Sequence, residues 1–216
     1  MYIFVIIILL VCVTLIYYSR LSLDDYIGPK IERDILLSSC SNGDLVFFYG
    51  HSFGEKMIQN VTGSYINHVA MIFFDRDIFT ENIIPYIWES DVGYNYRDGP
   101  RVMRLIDKLN RYKQKFCIWK RYLGPPIYTD QLLNIIPRYI NHGIDTEMLY
   151  WLFSNDPNSI GYKLTKKSNT MFCSELIAAT LQDLEIINRD ASPSSYSPQK
   201  LYNDINLYGM SRIVRV

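Results

Sequence analysis

A chain of 216 residues has room for one medium domain and an appendage, and 49% hydrophobic against 20% charged residues excludes disorder as its default state. Lys plus Arg and Asp plus Glu both number 22, so the formal net charge is zero and no excess of positive charge points to a nucleic-acid partner. The four cysteines, Cys12, Cys40, Cys117 and Cys173, form no C-x-x-C pair or other metal-ligand spacing, and the chain holds only three histidines, so neither a metal nor another cofactor is expected. Cys12 lies inside an apolar run and leaves an odd number for the domain, which favours a reducing compartment over a disulfide framework.

Residues 1–18 carry no charged side chain and are dominated by Ile, Val and Leu. As a helix they would extend about 27 Å, close to the thickness of a hydrocarbon core. With neither a basic leader nor a small-residue cleavage site, residues 1–20 are expected to form an uncleaved transmembrane anchor with the membrane as partner. Arg20, Lys30 and Arg33 follow it and, by the positive-inside tendency, give a single-pass protein with its domain in the cytosol. Residues 21–41, which include Gly28-Pro29, are expected as a tether, and residues 42–216 as the folded domain.

Residues 45–49 are a short apolar and aromatic run behind the turn Asn42-Gly43-Asp44 and predict a strand, followed by a helix over 53–60. Residues 65–74 predict a second strand with His68 near its start; alone, such a histidine is more often structural than catalytic. In the strand predicted over 84–90, Glu89 interrupts an apolar and aromatic run. If buried, that carboxylate needs a partner; otherwise it faces solvent near the strand end. Strands at 101–105 and 116–121 alternate in charge, so one sheet face is expected to meet water. Between 129 and 153 the pattern turns helical, with a break at His142-Gly143 and with Pro137 expected to kink or divide the first helix. His51 and His142 are given no chemical role.

Residues 170–181 read as a helix with Cys173 in its first turn, Ile177, Leu181 and Leu184 marking one apolar face and the polar run 166–170 supplying the cap. At a helix start the unpaired N–H groups and aligned peptide dipoles favour an anion, so a thiolate forms there most easily. A single cysteine on such a helix is otherwise a small buried hydrophobe. Residues 192–199 form a loop before a turn at 200–203, and 213–216 close with a strand.

Gly43-Asp44-Leu45-Val46-Phe47-Phe48 opening a strand, Asn67-His68-Val69-Ala70-Met71 on the next, Glu89 on a third and Phe172-Cys173-Ser174-Glu175-Leu176 on a late helix resemble the NlpC/P60 superfamily in its circularly permuted branch. That branch includes YiiX/YebB-like proteins, lecithin:retinol acyltransferase relatives and a poxvirus group. The resemblance covers residues 42–202; residues 123–167 depart from it, being longer and lacking a clean Gly-x-x-Tyr-Asp turn. It implies an α+β, permuted papain-like fold in which an antiparallel sheet packs against helices behind the N-terminal transmembrane helix. Cys173 would then be the nucleophile, His68 the base and Glu89 the group that orients the imidazole, with Asp75 or Asp91 as alternative carboxylates. The backbone N–H of Cys173 would serve as the oxyanion donor. The thiol is expected to be partly open to solvent. The expected activity is that of a membrane-anchored thiol hydrolase or acyltransferase on a lipid or peptide acyl substrate; an inactive binding module and a structural membrane protein are the alternatives. Richness in Ile, Tyr and Asn, together with the poxvirus resemblance, suggests a large DNA virus as source.

Overall fold

A computed structural model of the chain describes residues 29–49, 66–92, 98–112, 116–144, 169–204 and 208–216. Seven strands form one sheet: β1 (Lys30–Glu32), β2 (Leu45–Phe48), β3 (His68–Arg76), β4 (Ile83–Asp91), β5 (Gly99–Arg104), β6 (Phe116–Tyr122) and β7 (Tyr208–Arg215), in the order β1-β7-β6-β2-β3-β4-β5. The helices are α1 (Arg33–Ser39), α2 (Leu105–Arg111), α3 (Thr129–Tyr139), α4 (Cys173–Asp183) and α5 (Pro198–Asp204), with a 3-10 turn at Pro193–Ser195.

The strand period of two sorts the core into two layers. Leu45, Phe47, Val69, Met71, Phe73, Trp88 and Ile118 face one way and pack with Leu132 of α3, Leu176, Ile177 and Leu181 of α4 and Leu201 of α5. Val46, Phe48, Ala70, Ile72, Ile87, Cys117 and Trp119 face the other way, against Leu36 of α1 and Leu105 and Leu109 of α2. Complete burial of a side chain such as Leu176 or Ile177 contributes about 1.5–3 kcal/mol. Helices therefore cover both faces of the central strands, which is why β2 is an unbroken apolar run rather than an alternating one.

Three expectations are corrected. The sheet is mixed: β2 through β7 pair antiparallel, but β1 runs parallel to β7, Lys30 opposite Ile213 and Glu32 opposite Arg215. Among the described residues no helix is long and apolar enough to cross a membrane. Residues 1–20, where the transmembrane helix was expected, lie outside them, and the single-pass placement with a cytosolic domain is withdrawn with that helix. Finally, one face of β5 does meet water, at Val102, but the charge of Arg101 does not lie on it, because Arg101 is buried among acidic partners.

Residues 30–39, expected within a tether, carry β1 and α1, with Leu36 of α1 fully buried. Pro137 does not divide α3, which ends at Tyr139 within the following turn. The helix expected over 53–60 and the helical stretch beyond residue 144 fall outside the described residues. At the start of β5, Gly99 adopts φ +116°, and a Cβ there would meet the His142 carbonyl oxygen at 2.5 Å, so only glycine lets residues 142–143 approach this strand.

Candidate functional site

His68 is the first residue of β3, and Glu89 lies near the end of β4. By alternation with Val69 and Trp88, both belong to the sheet face covered by α2. Cys173, in contrast, is the first residue of α4, on the opposite face. The two meet because β3 begins at His68: the sheet ends there, and the thiol comes round its edge, with Sγ 4.0 Å from the carbonyl oxygen of Asn67. The α4 terminus is tied to β4 on both sides of the thiol. Ser90 Oγ donates to the Met171 carbonyl at 2.6 Å, and Trp88 Nε1 donates to Thr180 Oγ1 at 3.0 Å. Leading into α4, Met171 N donates to the Gly143 carbonyl at 2.9 Å. The N-cap is Phe172, which makes no side-chain cap bond, so the expected polar cap does not form.

The three residues singled out in the sequence come together. His68 Nε2 lies 2.7 Å from Glu89 Oε2, and the Cys173 side chain is near enough to act on the same imidazole. With Nε2 turned to the carboxylate, Nδ1 is the ring nitrogen left for sulfur. Of the alternative carboxylates, Asp75 sits at the far end of β3 and accepts from the backbone N–H of Arg76, away from the imidazole. Asp91 belongs to the same buried cluster but reaches His68 only through its charge. Cys173 is 4% exposed, so the expectation of a partly open thiol is not met.

Two residues that the sequence reading missed complete the cluster. Arg101 donates to Glu89 Oε1 from Nε at 3.0 Å and from a terminal nitrogen at 2.8 Å, and the latter also reaches Asp91 Oδ2 at 2.9 Å. Lys108 of α2 is 1% exposed; its Nζ lies 2.6 Å from Glu89 Oε2, 2.8 Å from Asp91 Oδ2 and 3.5 Å from His68 Nε2. Its signal was faint: Leu105 and Leu109 recur at i, i+4, and Lys108 shares their face.

The electrostatics follow from this packing. Burial would raise Glu89, but Lys108, His68 and Arg101 together hold it well below the usual carboxylate range. Burial likewise opposes the ionised form of Asp91, and the charges of His68 and Lys108 outweigh it and keep the group low. For His68, burial and Lys108 both work to lower the imidazole; the negative charge of Cys173, then that of Asp91, overcome them and raise it to about 10. An imidazolium against the Glu89 carboxylate is thus the favoured charge state of His68. Of the other described thiols, burial and the charge of Asp44 push Cys40 up to about 12, and burial pushes Cys117 up further.

No family model matches the sequence, and no curated protein does. Among solved structures the fold is similar to that of the metalloprotein YiiX of Escherichia coli O157:H7, with a TM-score of 0.50 at 15% identity, over 79% of this chain and 95% of that one. YiiX belongs to the permuted papain-like NlpC/P60 family, so the likeness supports the papain-like part of the expected fold, without its transmembrane helix. Nothing in these comparisons indicates a viral origin.

Because that neighbour is called a metalloprotein, the residues here deserve a test against a cation. His68, Glu89 and Asp91 place one ligand atom each within 4.8 Å of one another. They do not fit a metal ion. Glu89 Oε2 and Asp91 Oδ2 already accept from Lys108, both carboxylates accept from Arg101, and a divalent cation would lie against two fixed positive charges.

Proposed function

We propose that the protein is a thiol hydrolase or acyltransferase that works through an acyl-enzyme on Cys173, with an amide, ester or thioester as substrate. The observation that carries this reading is the imidazole of His68, held by Glu89 at 2.7 Å at the start of β3, with the Cys173 thiol at a helix start brought to the same strand end, 4.0 Å from the Asn67 carbonyl. His68 Nδ1 takes the thiol proton, and the thiolate attacks the acyl carbonyl carbon, forming the C–S bond. The backbone N–H of Cys173 faces the oxygen on which charge develops. The imidazolium then gives its proton to the leaving nitrogen, oxygen or sulfur as that bond breaks. Water, or an acceptor hydroxyl or amine, next attacks the thioester while His68 removes its proton, and collapse of the intermediate expels the thiolate. Glu89 keeps the ring oriented throughout and exchanges no proton.

The fold likeness to YiiX supports the papain-like class and leaves the acyl group open. The preference for a lipid substrate rested on the anchor and is given up with it. A binding module that keeps the fold without turnover is favoured by one observation, the 4% exposure of the thiol. Treatment with acyl-directed electrophiles, the adduct mapped by mass spectrometry, separates the two. A covalent acyl adduct on Cys173 that disappears in Cys173→Ser and weakens in His68→Ala is expected. A native protein in which Cys173 forms no adduct refutes the acyl-enzyme reading.

A further inference from the structure

Two carboxylates near a histidine usually make it a permanent cation. Here Glu89 touches Nε2, and Asp91 lies close enough for its charge to be felt. A ring held positive at all times would stabilise a thiolate well but would remove no proton from water in the second half of the reaction. Taking the site as the thiol acyl-transfer centre proposed above, we propose that Lys108, a positioning residue acting through His68, offsets these carboxylates so that the imidazole releases its proton once Cys173 is acylated.

The charged groups facing the ring come from four elements. Glu89 and Asp91 project from β4, Arg101 from β5, Lys108 from α2 and Cys173 from α4. The Phe48 ring of β2 and the ring of Tyr112, a residue just beyond α2, flank the Lys108 ammonium at 5.2 and 5.4 Å. The four fixed charges of Glu89, Asp91, Arg101 and Lys108 cancel, so the cluster is neutral apart from the thiol and the imidazole. That leaves Cys173 as the switch. While sulfur is an anion, it holds the proton on His68; once acylation turns it into a neutral thioester, Lys108, 3.5 Å from Nε2, and burial oppose the imidazolium. Arg101 holds the far oxygen of Glu89 and does not touch the ring. Lys108 is thus the cation placed to repel the proton, and its burial is not needed merely to satisfy Glu89, which already accepts three bonds from His68 and Arg101.

The test uses the full chain labelled with 13C-histidine. The ring resonance of His68 is assigned by its loss in His68→Ala and titrated by NMR. Iodoacetamide then caps Cys173 as a neutral thioether that stands in for the acyl-enzyme, and the titration is repeated. Capping is expected to lower the His68 midpoint. Lys108→Met is expected to leave the capped midpoint about one unit or more above that of the capped wild type, and Lys108→Arg to restore it. Asp91→Asn, at a carboxylate 31% exposed and more tolerant of change, is expected to move the midpoint down. A loss of packing alone would not give shifts of opposite sign in the two variants. If Lys108→Met does not fold, Lys108→Gln, which also removes the cation, takes its place. A midpoint unmoved by loss of the cation in either variant overturns the role of Lys108 while His68-dependent labelling of Cys173 keeps the catalytic reading. Labelling that is indifferent to His68→Ala overturns both.

Discussion

Glu89→Gln is the substitution that most directly tests the buried cluster, because it keeps shape and volume and removes only charge. In the folded protein the carboxylate is fully buried and shared among His68 at 2.7 Å, Lys108 at 2.6 Å and Arg101 at 2.8 and 3.0 Å. A carboxamide can accept at one atom, but it turns N–H donors toward a cation that is also a donor. Removing one partner of a buried ion set costs about 3–5 kcal/mol, since the charges left behind stay desolvated. That is a large share of the roughly 5–15 kcal/mol that holds a typical domain together. The sign of the pH dependence follows from the carboxyl being held below its ordinary value of 4.5. Its stabilisation is fully present above 4.5 and is lost as pH falls through the lower folded value. Guanidinium unfolding, followed by the fluorescence of buried Trp88 and Trp119, should show the loss at pH 7 and a shallower decline below pH 4.5 in the variant. A cost under about 1 kcal/mol, the range of an exposed ion pair, with an unchanged acid slope would refute a tightly coupled cluster.

Selective alkylation at pH 7 should modify Cys173 ahead of Cys40 and Cys117, whose thiols burial holds protonated, and denaturation in urea should erase the order. Earlier labelling of Cys40 would contradict the electrostatic account. His68, raised from 6.5 to about 10, should contribute stability that is complete below 6.5 and lost as pH rises toward 10. A chemical-denaturation series across that window should show the decline in the wild type and less of it in His68→Ala; parallel profiles would refute it. Thr180→Val strands the indole N–H of Trp88 and should cost about 1–3 kcal/mol. Cys173 labelling at 20 °C should remain His68-dependent in that variant; if the dependence vanishes, the β4 to α4 tie also positions the thiol.

Much of this arrangement could be read before the coordinates, for reasons that are local. β2, β3, β4 and β6 are apolar runs bounded by turn residues, and α4 carries helical periodicity from Cys173 onward, so hydrophobic pattern alone places the thiol, His68 and Glu89 on the right elements. Glu89 was also legible as a carboxylate that burial would force to find partners. Its cations were not. Whether Arg101 or Lys108 faces water or a buried acid depends on what packs above β5 and α2, and a charged residue in a short amphipathic segment looks the same in both cases. β1 escaped notice because Lys30–Glu32 is three mostly exposed residues without periodicity, a strand only by virtue of pairing with β7. The exposure of Cys173 was misjudged because helix position predicts where a thiol sits along the axis and says nothing of what covers it.

The parallel seam between β1 and β7 bears on the order in which the chain can acquire its structure. β7 lies between β1 and β6, so the earliest described strand cannot join the sheet until the latest one in sequence is available. The Cys173–His68 neighbourhood has a similar dependence, since the thiol meets the β3 edge across 106 residues from Asn67. Such long loop closures are slow relative to hairpins like β3–β4, which form from neighbouring sequence. A partly synthesised chain would therefore hold the histidine and its carboxylate before the Cys173 sulfur could reach them.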